Sequence, residues 1–346
     1  MSGDVRISLR ALADGDTIIL DTKNLIINRV IDSNTGDSLD WVLDKNNSLE
    51  SLGTPLNIKY KNAYKSGEIR EILVNYQTTE NSEATQWYTP EMTLGKEQPF
   101  MYTQCEAILC RSLLPCQDTP SAKVKIFAGL TVKKPMIPLY AGINSKIIER
   151  DNEVTYYYVQ KIPVPTYLIA IAAGALESRR LSDRINVYGE KEIVDKAAWE
   201  FEETEKFIQY AESYLTTYEW GQYNLLVLPP GFPYGGMENP TLTFVTPSLI
   251  AGDRSLANVI AHEIAHSWTG NLVTNKNWQN FWLNEGFTVF TERKIIELIY
   301  GEEMSKLQSN VGFDQLVDDI EKFGVKNSYT SLYPDIQYVK IKFLFR

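Results

Sequence analysis

The sequence predicts an α+β chain of more than one domain, with an antiparallel β region first and a mixed, helix-rich region after it. Three observations predict it. Up to about residue 185, short β-branched and aromatic runs alternate with turn residues. Near Val187 the composition shifts to Glu, Lys and Ala, with apolar residues at helical spacing. The chain has 346 residues, more than a single domain of roughly 150 residues holds. The expected division is therefore 1–185 and 186–346.

In the first region, strands are predicted over residues 17–20, 25–30, 56–60, 71–76, 124–130, 146–148 and 154–162, several with period-two alternation. Asp14-Gly15-Asp16, Asn34-Thr35-Gly36, Ser66-Gly67 and Lys134-Pro135 separate them as turns. Periodicity does not decide between a buried strand and a short helix for 163–176. In the second region, Ile193, Ala197, Phe201, Phe207, Ala211 and Leu215 predict one long helix over 190–218. A strand over 223–228, a Pro/Gly loop and a strand over 241–245 follow. Asp253 or Ser255 caps a helix over 256–268, and a further helix over 283–300 is stopped by Gly301.

Composition narrows the function. Lys and Arg total 34 against 44 Asp and Glu, a net charge of −10, which repels phosphate backbones and anionic lipid. Nucleic acid and membrane are therefore not expected partners. The first residues contain no apolar stretch of signal-peptide length, and the longest apolar run, 167–173, is too short to span a bilayer. Cytoplasm is the expected location. Cys105, Cys110 and Cys116 are too few and too close for a disulfide framework, and are read as partly buried free thiols in a reducing compartment.

Both histidines of the chain fall in one pentad, His262-Glu263-Ile264-Ala265-His266. Their i, i+4 spacing puts two imidazoles on one helical face, where both reach a single ion, with Glu263 beside them near a bound water. A catalytic zinc site needs a third protein ligand and an open fourth position. Glu285, 19 positions after His266 in W-L-N-E-G, is the candidate. Two imidazoles and one carboxylate leave a net positive centre able to polarise a carbonyl. Upstream, Gly235-Gly236 can bring bare backbone against an extended substrate. Glu238 follows on what reads as a sheet edge, suited to a free α-amino group.

Together, G-G-M-E-N at 235–239, H-E-I-A-H at 262–266 and N-E at 284–285 resemble the M1 family of zinc aminopeptidases, of the gluzincin type. The surrounding W-G-Q-Y-N-L-L-V-L-P-P-G-F-P-Y and S-W-T-G-N-L-V-T-N look like the branch of leukotriene A4 hydrolase and aminopeptidase B. A-L-E-S-R at 175–179 and L-P-C-Q-D-T-P-S at 114–121 extend the likeness over nearly the whole chain.

The resemblance implies an N-terminal antiparallel β domain over 1–185 and a thermolysin-like zinc peptidase domain over 186–346. By motif, His262, His266 and Glu285 match the ligands of one zinc ion, and Glu263 the general base. Gly235, Gly236, Met237 and Glu238 match the residues that hold the substrate's backbone and amine. Thr103-Gln104-Cys105-Glu106-Ala107 resembles the N-terminal segment that reaches into the site, so Gln104 and Glu106 join the substrate-binding set. Glu106 stands where leukotriene A4 hydrolase has Gln; a second carboxylate near the ammonium tilts the expectation toward peptides with a free N-terminus.

Other features point to impairment. Against the family pattern, an opening strand or two, part of the catalytic domain and the C-terminal helical domain are expected to be missing. The family also has a tyrosine that donates to the oxyanion where Phe343 stands here, leaving Tyr338 as a weak substitute. The expected reaction is hydrolysis of the N-terminal peptide bond by a zinc-activated water, slowed by these losses. The alternatives are opening of a lipid epoxide, a silent truncated protein that binds zinc or peptide without turnover, and a piece of a longer enzyme. Oligomeric state is not legible.

Overall fold

A computed structural model describes residues 1–256 and 258–336. The strands are β1 (Ser2–Arg10), β2 (Gly15–Leu20), β3 (Leu25–Asp32), β4 (Asp40–Leu43), β5 (Leu56–Tyr64), β6 (Ile69–Thr78), β7 (Thr85–Tyr88), β8 (Phe100–Thr103) and β9 (Val124–Lys133). They continue as β10 (Ile137–Tyr140), β11 (Ile143–Glu149), β12 (Glu153–Val164), β13 (Ile171–Gly174), β14 (Leu176–Arg180), β15 (Asn186–Glu190), β16 (Asn224–Val227), β17 (Gly236–Met237) and β18 (Leu242–Val245). Five helices complete the described chain: α1 (Lys191–Glu200), α2 (Thr204–Tyr214), α3 (Asn258–His266), α4 (Trp282–Tyr300) and α5 (Glu302–Phe323).

The β region is built of antiparallel sheets, in the orders β1-β6-β3, β2-β5-β4, β10-β13-β8-β7 and β11-β12-β9. Alternation in the sequence explains their packing. Strand β1 alternates between exposed and half-buried residues along its length, and β3 buries Leu25, Ile27 and Val30 on the core side. These strands close one core around Leu20, Val30, Leu56, Ile58, Ile72 and Val74. A smaller cluster gathers Cys105, Cys110 and Cys116 with Leu113, Tyr140 and Tyr158, and all three thiols are free and buried.

The fifth sheet, β14-β15-β16-β18-β17, is mixed. Strands β15, β16 and β18 run parallel, while β14 and β17 lie antiparallel at its edges. Strands β16 (N-L-L-V) and β18 (L-T-F-V) are buried at every residue, as expected of central strands covered on both faces. The main core runs from this sheet through Ile260, Ala261, Ile264 and Ala265 of α3 to Ile295 and Ile296 of α4.

Several predicted elements differ from the structure. The long helix over 190–218 is two helices, because the chain turns at 201–203 and Thr204 Oγ1 donates to the Phe201 carbonyl. Just before that break, the buried Glu200 carboxylate accepts from the amides of Gly252 and Arg254. Segment 163–176 is neither one strand nor one helix: a 3-10 turn at Thr166–Leu168 separates β12 from β13. Helix α5 was not predicted, and with α4 it leaves Phe287, Phe290, Leu307, Phe313 and Leu316 exposed. No helix among the described residues is long and apolar enough to cross a membrane.

Candidate metal centre and active site

Helix α3 is short and buried almost throughout, since its inward face is Ile, Ala, Ile, Ala. That burial fixes the two histidine rings. Their planes meet edge to face with centroids 4.7 Å apart, and their Nε2 atoms lie 3.0 Å from one another. From the first turn of α4, Glu285 places Oε2 3.4 Å from His262 Nε2 and Oε1 3.7 Å from His266 Nε2. Two nitrogens each about 2.0 Å from one tetrahedral ion would be about 3.3 Å apart, so the rings sit close to ligand spacing.

The outer ring nitrogens are held as well. His262 Nδ1 lies 3.1 Å from Glu292 Oε2, and His266 Nδ1 lies 3.1 Å from Thr288 Oγ1 and 3.2 Å from the Thr269 carbonyl. With Nδ1–H donating to these acceptors, both Nε2 lone pairs face the same point. The local field calls for positive charge there. Burial works against a charged His262 ring, yet Glu285 and Glu292 push its pKa well above the ordinary histidine value. Burial would raise the Glu285 carboxyl, but His266 and His262 hold it down at about 2. The donor set of two imidazoles and a carboxylate, within 4.8 Å of one another, fits one zinc ion.

Opposite this triad lies a group of carboxylates of another kind. Glu263 is buried with Oε2 lacking any hydrogen-bond partner, and Glu238 Oε1 and Glu106 Oε1 are buried in the same condition. Burial pushes the Glu263 carboxyl well above its usual range; His262 resists the shift, and Glu238 and Glu285 add to it. Glu106 is raised first by burial and then by Glu238, Glu285 and Glu263. Glu238 Oε1 is 3.9 Å from His266 Nδ1, which brings it to the edge of the triad.

The glycines explain how the backbone fits. A Cβ on Gly236 would stand 2.2 Å from Glu263 Oε1, so only glycine lets β17 pass over that carboxylate. Gly235 precedes it, its carbonyl accepting from the Thr246 amide. Next in β17, Met237 takes the Gln104 side-chain amide at 3.2 Å from its sulfur, which links the β region to the site.

The structure thus brings together Gln104, Glu106, Gly235, Gly236, Met237, Glu238, His262, Glu263, His266 and Glu285. Tyr338 and Phe343 lie outside the described residues. Sequence reasoning missed Glu292 and Thr288, although both stand on the Glu285 face of α4, seven and three positions on. It also missed Tyr167, whose buried hydroxyl accepts from Asn284 Nδ2 at 3.2 Å.

Comparison with known proteins agrees with this geometry. The Peptidase M1 N-terminal domain matches residues 1–168 and the Peptidase family M1 domain residues 199–334. Leukotriene A-4 hydrolase of Xenopus laevis is 43% identical over 345 residues, 99% of this chain and 56% of that protein. Leucine aminopeptidase 2 of Aspergillus fumigatus is 41% identical over 342 residues, 97% of this chain and 55% of that protein. The solved structure of leukotriene A4 hydrolase from Saccharomyces cerevisiae superposes with a TM-score of 0.87 at 40% identity, covering 96% of this chain and 52% of that one. The chain thus spans about half the length of the curated relatives it matches. With motifs, fold and donor set in agreement, the chain belongs to peptidase family M1, the zinc metallopeptidases, near leukotriene A4 hydrolase and leucine aminopeptidase 2.

Proposed function

We propose that this chain carries the catalytic site of a zinc-dependent aminopeptidase acting on peptides with a free N-terminus. The observation that carries the reading is the set of buried, unpartnered carboxylate oxygens of Glu238 and Glu106 beside the His262, His266 and Glu285 triad. Buried carboxylates without partners are costly, and an entering ammonium satisfies them. An α-amine held there sets the first peptide carbonyl of the substrate toward the triad.

A zinc ion held by His262, His266 and Glu285 would polarise that carbonyl and acidify a water. The chain's own residues do the rest. Glu263 takes the proton of the attacking water on its carboxylate and returns it to the leaving amine, a task that suits a carboxyl raised above its ordinary range by burial. Gly236 lets β17 lie directly over Glu263, which sets the base against the backbone that a substrate would pair with. Gln104 and Met237 close the side nearest the β region.

The similarity to leukotriene A-4 hydrolase supports a second reading, opening of a lipid epoxide at the same centre. Glu106 favours the first, because an apolar chain gives a second buried carboxylate nothing to pair with. Comparing kcat/KM for an amino-acid anilide with that for its N-acetylated form tests the choice. The free amine should be preferred by about 100-fold or more, since each lost charged hydrogen bond costs on the order of 1.5–3 kcal/mol. Equal rates would remove the amine-binding role, and no turnover of either substrate would favour a silent zinc-binding protein.

The division near residue 185 is likewise our own reading; the two family matches leave it between them. A cytoplasmic location rests on the three free thiols buried together around Cys110.

A further inference from the structure

Glu238 has a buried carboxylate oxygen with no hydrogen-bond partner, so its position is set through its main chain rather than by a neighbour of the carboxylate. Two contacts hold that main chain. Upstream, β17 pairs with β18 through Gly236 and Met237. At Glu238 itself, the carbonyl accepts from Asn271 Nδ2 at 2.8 Å. Asn271 is buried in the loop that follows α3, and its own amide donates to the His266 carbonyl at 3.0 Å.

What holds Asn271 comes from the β region. Lys123, just before β9, donates from Nζ to the carbonyls of Asn271 at 3.1 Å and Leu272 at 2.9 Å. Among the described residues Lys123 forms no ion pair, its Nζ meeting carbonyls instead, and burial lowers its pKa. A half-buried ammonium without a counter-charge gives up part of its hydration, which a packing role alone would not require. Tyr167 adds a second hold on the same loop, its hydroxyl donating to the Gly270 carbonyl at 3.4 Å.

We propose that Lys123 is a positioning residue for the amine-binding Glu238, acting through the Asn271–Leu272 carbonyls and the Asn271 side chain. The role rests on the aminopeptidase reading above. It makes docking of the β region against the α3 loop a condition for placing the substrate's amine. The link is one of hydrogen bonds and does not require Lys123 to touch substrate.

Lys123→Met keeps the alkyl stem and removes the donors, while Lys123→Arg keeps donors able to reach two carbonyls. Three quantities are compared on the full zinc-loaded chain: amide hydrogen exchange over 235–240 and 268–274, zinc content, and kcat and KM separately on a free-amine anilide. In Lys123→Met, exchange over both segments should rise about tenfold or more relative to α1 and α2, with zinc retained. KM should rise roughly 10- to 100-fold with kcat within about threefold, and Lys123→Arg should restore most of both. Asn271→Ala cuts the next link, so it should show the same KM rise, and the double variant should add little to it.

Unchanged exchange over 235–240, or a loss of kcat in step with zinc, overturns the proposal. If Lys123→Met does not fold, Asn271→Ala and Lys123→Arg decide it by the same readouts. A parent chain without turnover counts against the aminopeptidase reading, and the exchange comparison then judges the clamp alone.

Discussion

On the helical side of the site, each imidazole has its outer nitrogen occupied: His262 by Glu292 and His266 by Thr288 and the Thr269 carbonyl. On the opposite side, Glu106, Glu238 and Glu263 each bury a carboxylate oxygen that nothing in the described chain satisfies. The first arrangement is complete in the protein alone and is tuned for one cation. On the aminopeptidase reading, the second is completed by what enters: a proton on Glu263 or an ammonium between Glu238 and Glu106. Metal retention and substrate handling should therefore come apart under mutation, although the groups concerned are only a few ångströms from one another.

The largest effect is expected on the helical side. Replacing His262, His266 or Glu285 with Ala should weaken zinc binding by more than about 100-fold, measured by competition with a chromogenic chelator. Unchanged affinity in all three would break the comparison at its base. Next comes Glu263→Gln, which removes the proposed base and leaves the ligand set whole. Zinc should stay bound one per chain while kcat falls by about 10²–10⁴. If zinc left with activity, the two sides would not be separable.

Gly236→Ala sharpens the same division from the backbone. The added Cβ would lie 2.2, 2.4 and 2.6 Å from Oε1, Cδ and Cγ of the buried Glu263, so the whole side chain must swing aside. The melting temperature should fall by a few degrees from this overpacking. Zinc affinity should change little, and kcat should drop by roughly 10- to 100-fold. A fully active variant would show that Glu263 works from a position other than the one seen.

The two sides also differed in how far the sequence revealed them. His262 and His266 were legible because helical periodicity forces i and i+4 onto one face, and Glu285 because the next helix had to return past them. Thr288 and Glu292 follow the same rule, one and two turns on along the Glu285 face, but they meet the outer ring nitrogens rather than the ion, and no ligand count points to them. Lys123 and Asn271 are another case. They meet across 148 positions through main-chain carbonyls, and no local pattern of side chains encodes such a contact. The fold shows the same split: strands such as β3, β6, β12, β16 and β18 were found, but the alternating β1 and the fully buried β8 were not, and the break between α1 and α2 depended on a tertiary partner, the 252–254 loop, for Glu200.

The smallest effect concerns stability and has the opposite sign to the others. Burial, and then Glu238, Glu285 and Glu263, raise the Glu106 carboxyl well above its ordinary value, so the folded chain binds this proton more tightly than the unfolded chain does. Below the unfolded pKa both states are protonated, and Glu106 costs nothing. As pH rises from there, the unfolded chain releases its proton first, and stability falls until the folded pKa is passed. Glu106→Gln removes that penalty while keeping the shape. Stripped of metal by a chelator, the variant should melt roughly 2–4 °C above the parent at pH 8, and the gain should vanish near pH 4. A variant less stable than the parent at pH 8 would mean that the Glu106 carboxylate is satisfied within the protein, and the contrast between the two sides would then hold for Glu238 and Glu263 alone.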